Sequence, residues 1–235
     1  PSLSIFLFIS ILIWEPIIFF FPIIFLYEMI DKNIIDLNIN FLKLSLSFLP
    51  SIFLALIIII NPLTAENHNL MATILKNEFG QECYMACALL KSKSTIIHQF
   101  KGNIGSYSVE VFLRYSLIII IGFYPLYLLI KHSHFKNEKF IFLNIIKKPI
   151  TSLFISLSPV IFLFAMGYDW GRWVNITYVI LALTFYKLLE RSKLVINYEN
   201  LKNEFLYKIK GKTFVIFFLI FSFGWNPKTV ITGDI

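Results

Sequence analysis

The chain has 235 residues, of which 57% are hydrophobic and 15% are charged, whereas soluble domains carry about 25% charged residues. This composition excludes an ordinary water-soluble domain and predicts an all-α polytopic membrane protein whose solvent is lipid. The net charge of +7 does not indicate nucleic-acid binding, because lysines in membrane proteins concentrate in cytoplasmic loops.

Apolar stretches recur along the whole chain. Because a bilayer core of about 30 Å takes about 20 helical residues, we predict a transmembrane helical bundle of about six spans, forming a single integral-membrane domain over 1–235. The predicted spans are 3–28, 42–61, 111–130, 149–166, 173–189 and 213–225. The chain starts at Pro1 inside an apolar run, which is compatible with a fragment of a longer protein.

The first predicted span is interrupted by Glu15 and Pro16, a pair that is also compatible with a re-entrant hairpin. A carboxyl group in an apolar run is expected either to be neutral or to face a polar partner. Glu15 is therefore either an interfacial residue beside a broken helix or the coupling carboxyl group of a transport path.

Most lysine and arginine residues fall in the segments 30–43, 131–148 and 187–212. Under the positive-inside rule these segments are cytoplasmic. The loop at 62–110 and the turn at 167–173 are then extracytoplasmic, and so is the C-terminal tail.

The loop at 62–110 is long enough to be partly helical. Thr64 is a plausible N-cap for a helix over about 65–78, and Gly80 is expected to end it. We predict a second helical stretch over about 81–92. The apolar stripe of the first helix suggests that it lies against the membrane or the bundle.

The chain has two cysteines, Cys83 and Cys87. On a helix, a spacing of four is poorly suited to an unstrained disulfide, and two ligands do not make a zinc site. We therefore interpret them as two small apolar residues, and we expect no metal and no cofactor.

Arginine is rare in this lysine-rich chain. Its planar guanidinium binds carboxylate or phosphate through two parallel hydrogen bonds, which lysine does poorly. Arg191 lies in a basic cytoplasmic segment and is interpreted as a topology signal. Arg114 and Arg172 lie beside spans on the predicted outer side, against the positive-inside trend, and such charges usually pair or bind something.

The most informative motif is the turn Gly-Tyr-Asp-Trp-Gly-Arg-Trp at 167–173, where Asp169 and Arg172 share a helix face. In one interpretation Asp169 caps the helix and pairs with Arg172, while Trp170 and Trp173 join the interfacial aromatic belt. In the other, Arg172 binds an anion, Asp169 orients it or acts as a base, and the tryptophans stack on a sugar.

None of the four histidines lies in a predicted span, which argues against haem held between transmembrane histidines. His68 and His98 lie in the loop at 62–110 and are candidate acid–base or substrate-binding groups. His132 and His134 lie in a basic segment and are expected to be solvated.

The turn at 167–173 resembles a similar acidic-aromatic-Gly-Arg-aromatic turn in Wzy-type (O-antigen polymerase-like or EpsG-like) proteins of the bacterial inner membrane. The resemblance implies polymerisation of lipid-linked oligosaccharide at the outer face, without a nucleotide-sugar donor. It further implies that Arg172 and Arg114 hold the pyrophosphate of the lipid carrier. In such an enzyme Asp169 would deprotonate the attacking hydroxyl, with Trp170, Trp173 and His68 as substrate contacts.

Two other functions fit the sequence. One is a transporter or flippase-like module with Glu15 as its coupling carboxyl group. The other is a non-catalytic membrane subunit of a larger complex. The expected partners are membrane lipids, with a lipid-linked glycan or further membrane subunits depending on the function.

Overall fold

The computed structural model describes residues 2–34, 38–61, 63–84, 87, 100–101, 104, 107–136, 148–167, 169–209 and 211–225. These residues are helical almost throughout, and one small two-stranded sheet is found among them. The predicted all-α class is confirmed.

The N-terminal part of the chain begins with two helices joined by a 3-10 segment. Its elements are α1 (Ser2–Ile13), a 3-10 segment (Glu15–Phe20), α2 (Phe21–Asp31), α3 (Ile39–Ile60) and α4 (Ala65–Phe79).

The C-terminal part contains the small sheet. Its elements are α5 (Val109–Lys131), β1 (Ser133–Phe135), α6 (Pro149–Leu157), a 3-10 segment (Ser158–Val160), α7 (Ile161–Met166), α8 (Trp170–Glu190), β2 (Leu194–Ile196), α9 (Tyr198–Leu201), α10 (Phe205–Lys208) and α11 (Gly211–Gly224).

Three helical stretches of the described chain are long and apolar enough to cross a membrane: Ile39–Ile60, Val109–Lys131 and Pro149–Met166. They coincide with three of the six predicted spans. Helix α8 has 21 residues but is more polar, and α11 has only 14. The count of six spans stays a prediction.

The first predicted span is broken at Trp14, whose backbone is extended with φ −156° and ψ 94°. Proline cannot donate a backbone hydrogen bond, and the helix resumes after the break as a 3-10 segment with Pro16 in its first turn. Beyond the break, α2 packs antiparallel to α3. The Phe21 ring meets Phe48 at 5.4 Å and the Phe25 ring meets Phe41 at 5.7 Å.

The stretch from Trp14 to Asn33 runs parallel to α8 and the residues that follow it. At one end the rings of Trp14 and Trp173 stack with centroids 5.7 Å apart. At the other end Lys193 Nζ donates to Asn33 Oδ1 at 3.0 Å. This pairing fixes the N-terminal segment against the main core, which α2, α5, α6 and α8 share.

The described parts of the three segments predicted to be cytoplasmic meet at one end of the bundle, called the basic end below. Strand β1 pairs antiparallel with β2, with Ser133 opposite Ile196. The Glu204 carboxylate accepts hydrogen bonds from Lys131 Nζ at 2.9 Å and His132 Nε2 at 2.6 Å. This is the arrangement expected if the three segments share one side of a membrane.

Large apolar side chains cover much of the surface. On α5, Leu117, Ile120 and Ile121 are all exposed, and on α11 the apolar side chains between Phe214 and Ile220 are exposed around the whole helix. Contiguous apolar surface of this extent is rare on soluble monomers and suits contact with lipid.

The loop after α3 follows the prediction in its first half. The Thr64 hydroxyl accepts from the Asn67 N–H at 3.2 Å, and Gly80 ends α4 in the left-handed region with φ 62°. The second predicted helix, 81–92, is wrong at its start because 81–84 are not helical, and nearly all of its remainder lies outside the described residues.

Candidate functional site

The starts of α5 and α8 come together at the end opposite the basic end, called the aromatic end below. The Phe164 carbonyl, in the last turn of α7, accepts from the Tyr107 hydroxyl and from Trp170 Nε1–H, each at 2.7 Å. Carbonyl groups at a helix C-terminus lack intrahelical hydrogen-bond donors, and the Tyr107 and Trp170 side chains provide donors for the Phe164 carbonyl. The contacts join the chain before α5 to the turn before α8.

The two tryptophans of the turn lie inside the bundle. Trp170 is 7% exposed, and its ring packs edge-on against Tyr115 at 5.1 Å. Trp173 is 8% exposed and stacks on Trp14. Both rings therefore fill space between helices, whereas residues of an interfacial belt would present their rings to the surface.

Asp169 and Arg172 form the expected ion pair, with Arg172 Nη2 at 3.0 Å from Asp169 Oδ2. The capping prediction is wrong, since the Asp169 side chain makes no hydrogen bond to the first turn of α8. The Arg172 side chain is 63% exposed and that of Asp169 27%. The guanidinium therefore keeps donors open to solvent while it holds the carboxylate.

Arg114 lies nearby on α5. Its Nη2 donates to Glu110 Oε1 at 3.0 Å, and its side chain is 23% exposed. Tyr115, the next residue after Arg114, packs on Trp170, the next residue after Asp169, so the two charged residues flank one pair of packed rings. The aromatic end thus gathers two guanidinium groups, each paired with a carboxylate, and several buried rings.

The structure gathers some of the predicted site residues and separates others. Arg114, Asp169, Trp170, Arg172 and Trp173 are at the aromatic end. The predicted site did not include Tyr107, Tyr115 and Trp14, which are marked in the sequence only as aromatic residues beside or within predicted spans.

Glu15 is an exposed residue next to Trp14, and it has no ion pair within the described part of the chain. His132, which was expected to be solvated, is bound to Glu204 instead. The candidate acid–base group His98 lies outside the described residues.

His68 is held within its own loop. Cys83 and Cys87 form a disulfide, with Cα atoms 5.2 Å apart, so the prediction of two unpaired apolar residues is wrong. That prediction assumed a helix, whereas 81–84 have another conformation. His68 is 4% exposed, and its Nε2 lies 2.8 Å from the Cys87 carbonyl oxygen and 3.6 Å from Cys83 Sγ.

An apolar crevice of about 540 Å³ lies between α5, α6, α7 and α8. Its walls include Ile120, Tyr124, Phe154, Ile161, Val174 and Thr177. Because successive helix residues are about 100° apart, Val174 and Thr177 point away from the face of Arg172. The crevice and the exposed guanidinium are therefore on different sides of α8.

Comparison with known proteins finds no family model, no curated protein and no solved structure that matches this chain.

Proposed function

We propose that the aromatic end binds the anionic head of a lipid-linked molecule. The observation that carries this proposal is the exposure of Arg172, which remains 63% exposed despite its ion pair with Asp169. Arginine has five N–H donors in a planar fork, and one contact with a carboxylate leaves others for a phosphate oxygen.

The exposed face of α8 suits the tail of such a molecule. Val179 and Leu183 are 51% and 58% exposed and lie on the same stripe as Arg172. At 1.5 Å per residue, Val179 is about 10 Å along the helix from Arg172. A cation at the end of an apolar stripe matches an amphiphile whose charged group lies at the membrane surface.

The reaction proposed for this site is the transfer of a lipid-linked oligosaccharide to the hydroxyl of another sugar, at the outer face of a bacterial inner membrane. The hydroxyl oxygen forms a bond to the sugar C1 as the bond from C1 to the lipid pyrophosphate breaks. Asp169 takes the hydroxyl proton, and Arg172 with Arg114 stabilises the charge on the departing pyrophosphate. The resemblance at 167–173 supports this chemistry.

The reaction is tested by measuring glycan chain length in a bacterium whose chain extension depends on this protein. We expect Asp169→Asn and Arg172→Lys to abolish chain extension, because one removes the base and the other the bidentate donor. Arg191→Lys, at the basic end, is the matched control and should leave extension unchanged. Normal chain length in both site variants, with membrane insertion intact, would refute the proposal.

A transport function is the second candidate, and the meeting of two helix breaks favours it. The 3-10 segment Glu15–Phe20 packs against the 3-10 segment Ser158–Val160, and the rings of Phe19 and Phe162 are 6.2 Å apart. Broken helices that meet inside a bundle are typical of transporter substrate sites.

In a transporter, Glu15 is the coupling carboxyl group. Ion-coupled uptake into proteoliposomes should then be lost in Glu15→Gln, because the amide cannot exchange a proton, and retained in Arg172→Lys. The opposite pattern would exclude Glu15 as the coupling group, and absence of uptake by the unaltered chain would exclude the transport function.

A further inference from the structure

His68 is the one residue of α4 that is buried, and it is buried against the two cysteines. One ligand atom from each of His68, Cys83 and Cys87 lies within 4.8 Å of the other two. Both cysteines are half-buried. The three side chains thus form a compact group of nitrogen and sulfur donors, separate from the aromatic end.

The separation of the sulfur of Cys83 from the nitrogen of His68 matches a tetrahedral metal site, whereas the two sulfur atoms are bonded to each other and must first be separated by reduction. Zn–S bonds of about 2.3 Å and Zn–N bonds of about 2.0–2.1 Å place sulfur and nitrogen about 3.6 Å apart in a tetrahedron. Cys83 Sγ and His68 Nε2 are already 3.6 Å apart. Thiolate and imidazole are also donors that bind zinc well, whereas hard cations such as Mg²⁺ prefer oxygen ligands.

The imidazole turns its Nε2 atom towards both cysteines. Nε2–H donates to the Cys87 carbonyl at 2.8 Å, and the same nitrogen lies 3.6 Å from Cys83 Sγ. A metal held by the two sulfur atoms would therefore take Nε2, in place of its hydrogen bond to the Cys87 carbonyl.

We propose that His68, Cys83 and Cys87 form a redox-controlled zinc site. In the oxidised chain the disulfide occupies the sulfur atoms. A dithiol reductant opens it by transferring two electrons and two protons, and becomes a disulfide itself. Zn²⁺ then displaces the protons of both thiols and binds the sulfur atoms and His68 Nε2, while the ring proton moves to Nδ1.

Three protein ligands leave one position of the metal for water. Zinc would replace the disulfide as the link between residues 83 and 87, and it would add a bond to α4 through His68. The redox state of the surroundings thereby decides whether this loop is closed by a covalent bond or by a metal ion.

Zinc binding to the full chain in detergent tests the proposal. The protein is reduced with a water-soluble phosphine, which brings no thiol of its own, and is then titrated with Zn²⁺ without oxygen. The oxidised protein is titrated in parallel. We expect one zinc ion per reduced chain and none per oxidised chain, and a thiolate-to-metal absorption band when Co²⁺ replaces Zn²⁺.

His68→Gln should weaken zinc binding by the reduced chain at least about tenfold, since only two ligands remain. The matched control is His134→Gln, which changes an exposed histidine of β1 and should bind zinc like the unaltered chain. Equal binding by the reduced and oxidised forms would overturn the proposal, and so would unchanged affinity in His68→Gln. The comparison of redox states uses one sequence and does not depend on how a variant folds.

Discussion

At the scale of single residues, close packing limits the side chains that the bundle accepts, and Gly122 of α5 shows this most directly. The Trp225 indole lies on Gly122 so closely that an added Cβ would overlap the ring, and Trp225 Nε1–H donates to the Ile118 carbonyl at 3.0 Å. Trp225 follows α11, so this contact fixes the end of that helix to α5.

Replacing Gly122 with alanine tests this contact. The Cβ must displace the indole, and overpacking of this kind costs about 1–3 kcal/mol. We expect a lower apparent Tm in detergent for Gly122→Ala. Gly167→Ala is the control, because Gly167 has extended backbone and open space around its Cα. If both variants have the Tm of the unaltered protein, the packing of the Trp225 indole on α5 does not require a glycine at position 122.

The residues of the candidate site were partly predictable. The spacing of Asp169 and Arg172 indicated their ion pair correctly, because residues three apart on a helix are neighbours. The burial of Trp170 and Trp173 was not predictable, since it depends on Tyr115 and Trp14, which are distant in sequence. The Cys83–Cys87 disulfide was missed because residues 81–84 are not in the helix that the spacing suggested.

At the scale of elements, Glu204 joins the short helices after β2 to the end of α5. The His132 imidazole and the Lys131 ammonium, which both hydrogen-bond to the Glu204 carboxylate, hold the pKa of that carboxyl group below its usual range. Because the pKa is lower in the folded chain than in the unfolded chain, this link stabilises the fold at pH values above the usual carboxyl pKa. The contribution is lost as the pH falls through the lowered value.

Hydrogen exchange measures this link. Below the lowered pKa of Glu204, we expect the amides of 198–208 to exchange faster, after correction for the intrinsic pH dependence of exchange. Glu204→Gln should show the faster exchange at neutral pH as well. The matched control Glu199→Gln changes an exposed carboxylate of α9 and should follow the unaltered protein. Slow exchange in Glu204→Gln at neutral pH would show that the carboxylate does not hold this segment.

Elements were predicted best where composition alone decides them. Long apolar runs gave α3, α5 and the stretch Pro149–Met166, and caps gave the bounds of α4. The break at Trp14 was signalled by Glu15 and Pro16, but the conformation on either side was not, because it depends on packing against α3 and α8.

At the scale of the whole molecule, the fold separates two chemically different ends. The basic end carries the lysine-rich segments and the small sheet, while the aromatic end carries Arg114, Asp169 and Arg172 around buried rings. Between them the surface is apolar. This polarity is compatible with a bundle that crosses a membrane, and it underlies the proposal that the exposed guanidinium meets an anionic group at the membrane surface.

Native mass spectrometry tests this proposal most directly. The protein is incubated with a polyprenyl-pyrophosphate oligosaccharide and then released from detergent, and the bound lipid is measured. We expect the unaltered chain and Arg191→Gln to retain the lipid, and Arg172→Gln to lose at least about tenfold in affinity, since a hydrogen bond to a charged group contributes about 1.5–3 kcal/mol. Equal retention by Arg172→Gln and Arg191→Gln would contradict the assignment of the anionic head to Arg172.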